Sequence, residues 1–112
     1  MRPRPLSALA AALLAAGAAQ AQVTPQRQQA LVHIVRQDCG ACHGLQLTGG
    51  LGPPLTPPGL ADRTIASIVA TTLHGRPGTP MPGWKSMLSE SDALWIAERL
   101  RAGFPDEPKV TK

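Results

Sequence analysis

The chain has few of the side chains from which a small domain usually builds its core. Its 112 residues include no tyrosine, one phenylalanine and two tryptophans. They also include twelve prolines and eleven glycines, most of them between Gly44 and Gly83. Loops of this kind are hard to stabilise in a small domain with so little aromatic surface to bury. The sequence therefore predicts that a large apolar group forms part of the core.

The N-terminal 21 residues are typical of a secretory signal peptide. Arg2 and Arg4 give a positive start, residues 6–19 are apolar, and residues 19–21 read A-Q-A, a small-residue cleavage site. The apolar stretch is alanine-rich and shorter than the roughly 20 strongly apolar residues that a membrane-spanning helix needs. We therefore predict cleavage after Ala21 and a mature chain with no membrane span.

The charge of the mature chain does not favour nucleic-acid binding. Loss of Arg2 and Arg4 leaves nine basic residues against seven acidic ones, a formal net charge of +2. The remaining charges show no long run of one sign, so the high pI of 9.8 for the whole chain is not a nucleic-acid signature.

The only two cysteines lie in residues 39–43, which read C-G-A-C-H and match the C-x-x-C-H attachment pattern of c-type haem. Two thiols at this spacing can form thioethers at one edge of a porphyrin, and the imidazole of His43 can then bind the iron. A redox dithiol, half of a zinc site and a plain disulfide remain alternatives. Zinc is disfavoured because His33 and His74 lack paired spacing, and a thioredoxin-like dithiol because no convincing strand is present.

Three helices are predicted. The first begins at Thr24, followed by a proline at the first helical position, and runs into the cysteine pair. The second covers about residues 62–73, with Asp62 as its cap and Gly75 as its stop. The third begins with a capping box from Ser89 to Asp92, and a glycine and a proline follow its end at residues 103–105. The predicted buried positions are Ala30, Leu31, Ile34 and Val35 on the first helix, Ile65, Ile68, Val69 and Leu73 on the second, and Ala93, Ile96, Ala97 and Leu100 on the third.

This order of elements resembles the class I monohaem cytochromes c over about residues 28–104. Residues 50–55, G-L-G-P-P-L, resemble the family's G-x-G-P-x-L element, and residues 78–82, G-T-P-M-P, resemble its axial-methionine loop. The resemblance implies an all-α cytochrome c-like fold, in which three or more short helices and long Pro/Gly-rich loops surround one covalently bound haem c. Residues 22–105 would form this domain, and residues 106–112 a loose polar tail.

The resemblance also implies the roles of six site residues. Cys39 and Cys42 would attach the haem, His43 would bind the iron, and the backbone carbonyl of Pro53 would accept the other imidazole N–H. Met81 would be the second iron ligand, because the prolines on both sides of it restrict the backbone of the loop. Trp84 would pack near the haem edge.

Other residues are weighed against these roles. His74 is the alternative iron ligand, while Met87 and Trp95 are assigned to packing and His33 to a helix surface. The family's common aromatic residue near the end of the last helix is replaced by Arg99, which puts the usual contact between the first and last helices in doubt.

Four segments, residues 36–44, 49–53, 75–82 and 103–105, resemble in particular the small cytochrome c55X type, which is associated with the cytochrome cd nitrite reductase of denitrifying bacteria. This implies a monomeric periplasmic electron carrier without catalytic residues, whose partners are that reductase and an upstream donor. The alternatives are an accessory role in haem d maturation, a haem enzyme or gas sensor with an open iron position, and a disulfide protein without haem.

Overall fold

The computed structural model describes residues 2–3 and 22–109, and in that part of the chain the regular structure is entirely helical. The elements are α1 (Pro25–Ile34), a π-helical turn (Val35–Cys39), α2 (Gly40–His43), α3 (Ile65–His74) and α4 (Glu90–Ala102). The predicted all-α class is confirmed. Nearly all of the predicted signal peptide lies outside the described residues. None of the described helices is long and apolar enough to cross a membrane.

Helix α1 begins where the sequence predicts. The Thr24 side chain caps it by accepting the Arg27 amide at 3.2 Å, and a proline occupies the first helical position. Its buried face differs from the prediction at one edge: Val32 is buried and Ala30 is exposed. The buried face of the helix is centred on Leu31 and Val35, which are fully buried. Around the helix axis, Val32 lies closer to the middle of that face than Ala30 does.

Helix α3 begins three residues later than predicted. Thr64, not Asp62, is its cap, and the Thr64 hydroxyl accepts the Ser67 amide at 3.0 Å. Asp62 lies in the preceding turn, where the Arg63 amide donates to the Leu60 carbonyl at 2.9 Å. The turn that buries Leu60 therefore takes up the first two residues of the predicted helix, and Thr64 caps the helix that follows.

Helix α4 confirms the predicted capping box. The Ser89 hydroxyl accepts the Asp92 amide, and the Asp92 carboxylate accepts the Ser89 amide, both at 3.0 Å. The four predicted core residues of this helix are all buried. Gly103 follows the last turn with a φ of 111°, a region that favours glycine.

The first and last helices are joined by a polar contact instead of the family's usual aromatic residue. Arg99 is exposed. Arg27 at the start of α1 instead makes a paired ion contact with Asp92, at 2.8 and 3.2 Å. Trp95 packs edge-on against Phe104, with ring centroids 6.1 Å apart, and this supports its structural assignment.

The first two residues of the predicted C-terminal tail bond to the helical part of the molecule, and only the segment after residue 107 stays a predicted loose tail. Arg36 binds the carbonyl oxygen of Phe104 at 2.9 Å and the carboxylate of Asp106 at 3.1 Å, and its guanidinium lies 5.6 Å from the Phe104 ring centre. Glu107 bonds to His33 and to Gln37. Polar side chains on α1 and the π-helical turn therefore hold two residues that sequence composition alone assigns to a tail.

Candidate haem-binding site

His43 is the last residue of α2, and its side chain is fixed by the loop that follows. The residue is 9% exposed, and its Nδ1 lies 2.7 Å from the Pro53 carbonyl oxygen, the acceptor that the family resemblance implies. A carbonyl oxygen only accepts hydrogen bonds, so Nδ1 must carry the hydrogen. In the neutral imidazole the lone pair is therefore on Nε2, where a metal can bind.

The loop of residues 44–59 is folded back on the end of α2. The Gly52 amide donates to the Cys42 carbonyl at 2.7 Å, and the Gly49 amide donates to the His43 carbonyl at 2.8 Å. A β-carbon built on Gly52 would lie only 2.7 Å from the Nδ1 and Cε1 atoms of His43. Glycine is therefore required for Pro53 to approach the imidazole this closely, and the backbone of Gly52 forms one wall of the ring's site.

The two cysteines are not joined in a disulfide; Cys39 is half-buried and Cys42 is exposed. Burial, reinforced by the nearby Asp38 carboxylate, raises the pKa of the Cys39 thiol to about 11. A redox dithiol instead needs a thiol with a lowered pKa. In the described part of the chain, no three His, Cys, Asp or Glu side chains come together to hold a metal ion. The raised pKa of Cys39 therefore disfavours the dithiol interpretation.

A π-helical turn precedes α2 and ends at Cys39. In this turn the Gly40 amide donates to the Val35 carbonyl, a spacing of five residues instead of four. Such turns are rare and occur often at functional sites. No feature of the sequence predicts this one.

The loop of residues 75–84 contains Met81 and is attached to the end of α3. The Trp84 amide donates to the Thr72 carbonyl at 2.9 Å, and the Lys85 amide donates to the Leu73 carbonyl at 3.2 Å. A β-carbon on Gly83 would lie 2.6 Å from the Leu73 carbonyl oxygen, so this approach also requires glycine. The loop is therefore fixed at its C-terminal end by two hydrogen bonds to α3.

The three residues weighed as ligands differ in their surroundings. Met81 is half-buried, whereas His74 and Met87 are exposed. The packing role expected of Met87 is wrong: 52% of the residue is exposed, and the next residue, Leu88, occupies the core position instead. The Met87 carbonyl accepts a hydrogen bond from Arg27 at the junction of the first and last helices.

Trp84 is half-buried and packs against the hydrophobic core. Its carbonyl accepts the Leu88 amide at 2.9 Å, so the residue connects the Met81 loop to the start of α4. These contacts support its core role, and its place beside the haem stays a prediction.

Taken together, the side chains present fit a covalent haem c. The site offers two free thiols, an imidazole whose Nδ1 hydrogen is already bonded, and a thioether on a fixed loop. Because Gly52 lies so close to His43, the orientation of the imidazole ring is fixed before any metal binds.

Comparisons with known proteins agree with this chemistry. Residues 26–98 match the family described as "Cytochrome C oxidase, cbb3-type, subunit III". The chain is 50% identical over 98 residues to cytochrome c55X of Stutzerimonas stutzeri, covering 88% of this chain and 87% of that protein. It is also similar to the solved structure of the c-type cytochrome NirC, with a TM-score of 0.71 and 54% identity over 72% of this chain and 95% of that one.

A larger protein matches in part. The dihydro-heme d1 dehydrogenase of Pseudomonas aeruginosa is 36% identical over 104 residues, which is 93% of this chain but only 20% of that protein. The similarity therefore covers one portion of the dehydrogenase.

Proposed function

We propose, since this chain belongs to the cytochrome c55X family of monohaem c-type cytochromes, that it is a periplasmic carrier of single electrons to or around the nitrite reductase of denitrification. The observation that supports this most is the bond from His43 Nδ1 to the Pro53 carbonyl at 2.7 Å. This bond leaves the lone pair of His43 Nε2 free to bind iron, and Met81 on a separate loop could supply a second ligand.

Four side chains would hold the haem. Cys39 and Cys42 would form the thioethers, and His43 Nε2 and the Met81 sulfur would bind the iron. The haem supplies one-electron exchange between ferrous and ferric iron, and a thioether ligand favours the ferrous state and raises the reduction potential.

Two iron ligands supplied by the chain itself would favour a carrier over an enzyme or a gas sensor. If His43 and Met81 both held the iron, no position would be left for a substrate or a gas. Electron exchange needs no such position, because only the edge of the haem has to approach a partner.

The charges of the molecule favour a short-lived contact with that partner. Three of the basic side chains, Arg27, His33 and Arg36, are each paired with a carboxylate within the molecule. The low net charge of the predicted mature chain leaves little net charge to steer an encounter. We therefore propose that the protein acts as a monomer and binds its partners through a small, transient interface.

Stopped-flow mixing tests the donor role. The reduced protein is mixed with cytochrome cd nitrite reductase and nitrite, and we expect rapid reoxidation with only a modest dependence on salt. The control omits nitrite, so that the reductase can take up only as many electrons as its own haems accept. Slow reoxidation at every ionic strength would rule out electron donation.

A role in haem d maturation is the second candidate. It is favoured by the match to part of a dihydro-heme d1 dehydrogenase, because a dehydrogenase releases electrons that a carrier must remove. A strain lacking this protein would then accumulate nitrite reductase without haem d. Fully loaded reductase in that strain would exclude the maturation role.

A further inference from the structure

Thr79 lies at the centre of the turn that precedes Met81. Its hydroxyl donates to the Arg76 carbonyl at 2.7 Å and accepts the Met81 amide hydrogen at 3.3 Å. The Thr79 amide donates to the same Arg76 carbonyl at 3.1 Å, and the Arg76 amide donates to the Met81 carbonyl at 3.1 Å. The turn is therefore closed by four hydrogen bonds, two of which use one hydroxyl group.

These bonds hold both backbone groups of Met81. Its carbonyl is held by a backbone amide, which any non-proline residue at position 76 would supply, but its amide is held by the Thr79 side chain. The prolines at positions 80 and 82 restrict φ but have no N–H to add to the turn. Thr79 is thus the one side chain in this turn that forms a hydrogen bond with the backbone of Met81.

The position of the Met81 sulfur depends on this backbone. A methionine side chain has three rotatable bonds and adapts to irregular surroundings. If its backbone also moved, more conformational freedom would be lost when the sulfur binds a metal. Holding the backbone in advance lowers that cost.

We propose that Thr79 is a positioning residue, whose hydroxyl holds the backbone of Met81 so that the sulfur stays bound to ferric haem iron. The proposal rests on the proposed function, since it takes Met81 as the iron ligand. The hydroxyl acts through Met81 and does not itself bind the metal.

The matched control is Thr64, which makes a contact of the same kind at the other end of α3. Its hydroxyl accepts the Ser67 amide at 3.0 Å and caps the helix. Thr64→Val should therefore reduce stability without affecting Met81. Thr79→Ser keeps the hydroxyl and removes only a methyl group.

The test uses purified, oxidised holoprotein and a titration with imidazole, which competes with the sulfur for the iron. The apparent affinity for imidazole rises with the fraction of protein whose Met81 is unbound. Thr79→Val removes both hydrogen bonds of the hydroxyl, and loss of the one to the Met81 amide, at about 1 kcal/mol, predicts a roughly fivefold lower apparent dissociation constant and a weaker sulfur-to-iron charge-transfer band. Thr79→Ser and Thr64→Val should both bind imidazole as the wild type does, although Thr64→Val should unfold at a lower temperature.

Two outcomes would overturn the proposal. One is a Thr79→Val protein with the wild-type band and imidazole affinity; the other is an equal change in Thr79→Ser or Thr64→Val, since the hydroxyl would then not be responsible. If Thr79→Val yields no holoprotein, Thr79→Ala makes the same comparison. Met81→Ala separates the two claims: a band that survives in this variant removes the ligand assignment itself, and the positioning role with it.

Discussion

The two loops that carry the candidate iron ligands hold them in different ways. In the loop of residues 44–59, the imidazole itself is fixed, because Pro53 accepts its Nδ1 hydrogen at 2.7 Å and Gly52 lies against its edge. In the loop of residues 75–84, hydrogen bonds fix only the backbone of Met81, whose side chain is half-buried. The imidazole is oriented by the protein, whereas the sulfur of Met81 would be fixed only by its proposed bond to the metal.

The chemistry of the two side chains explains the difference. An imidazole has a second nitrogen, so a hydrogen bond on one side can orient the atom that binds on the other. A thioether has no hydrogen to donate and accepts hydrogen bonds weakly, so its position has to be controlled through the backbone. Substitutions in the two loops should therefore impair ligand binding to the iron in different ways.

The largest expected effect is the loss of the haem itself, which Cys39 and Cys42 would attach. Replacing Cys39 and Cys42 together by serine should abolish covalently bound haem, because the chain has no other cysteine. Helix content should also fall if the haem forms part of the core. Haem staining of a denaturing gel measures the attachment, with Met87→Ala as a control that keeps both thiols. Undiminished stain in the double variant would refute the attachment sites.

The next largest effect should separate the candidate ligands. Met81→Ala should remove the sulfur-to-iron band and lower the reduction potential on the order of 0.1 V, within the roughly 0.8 V that axial ligands span. His74→Ala and Met87→Ala should leave both unchanged, as expected of exposed side chains outside the site. Absorption spectra and redox titration measure this, and a potential that falls only in His74→Ala would make that histidine the ligand.

A smaller effect should distinguish the loops from one another. Gly52→Ala places a β-carbon against the His43 ring, which should cost about 1–3 kcal/mol and displace the imidazole. In Gly78→Ala the β-carbon meets nothing within 4 Å, and only the φ of 78° is strained, at a cost of about 1–2 kcal/mol.

Denaturant unfolding gives the two stabilities, and the NMR signals of His43 in the oxidised protein report the ring position. We expect these signals to shift in Gly52→Ala and to stay unchanged in Gly78→Ala. Equal shifts in both variants would contradict the claim that the two ligands are held independently.

The smallest effect should lie outside both loops. The hydrogen bond from Arg27 is the main reason that the pKa of Asp92 is lowered from 3.8. Its contribution to stability is therefore present above about pH 4 and is lost as the pH falls through the lower pKa of the folded state. Asp92→Asn should cost about 1–2 kcal/mol at neutral pH.

The difference in unfolding free energy between Asp92→Asn and the wild type, measured by denaturant unfolding, should shrink below pH 4. The spectrum of Asp92→Asn should match that of the wild type, because the pair lies at the junction of the first and last helices. A difference that persists unchanged to pH 2 would exclude the carboxylate as its source.

The features that the sequence predicts well depend on neighbouring residues. The capping box of Ser89 and Asp92, the cap at Thr24 and the pattern of the two cysteines all lie within a few positions of their partners. The contact between His43 and Pro53 is also short in sequence, and the family resemblance supplied it.

The features that the sequence does not reveal depend on packing. Asp62 and Thr64 are both residue types that cap helices well. Thr64 is the cap because Asp62 lies in the turn that buries Leu60. Binding of the C-terminal segment to Arg36 joins residues about 70 positions apart, which composition cannot show. The close approach of Gly52 to the imidazole and the hydrogen bond of Thr79 to Met81 are visible only in the three-dimensional structure, because many loops contain a glycine or a threonine.

The central claim is a low-spin haem c bound by His43 and Met81, and the absorption spectrum of the purified, oxidised protein tests it most directly. A covalent, low-spin haem with a sulfur-to-iron charge-transfer band is the result that we predict. A high-spin spectrum without that band would mean an open iron position and contradict the carrier role, and a protein without haem would contradict the site as a whole.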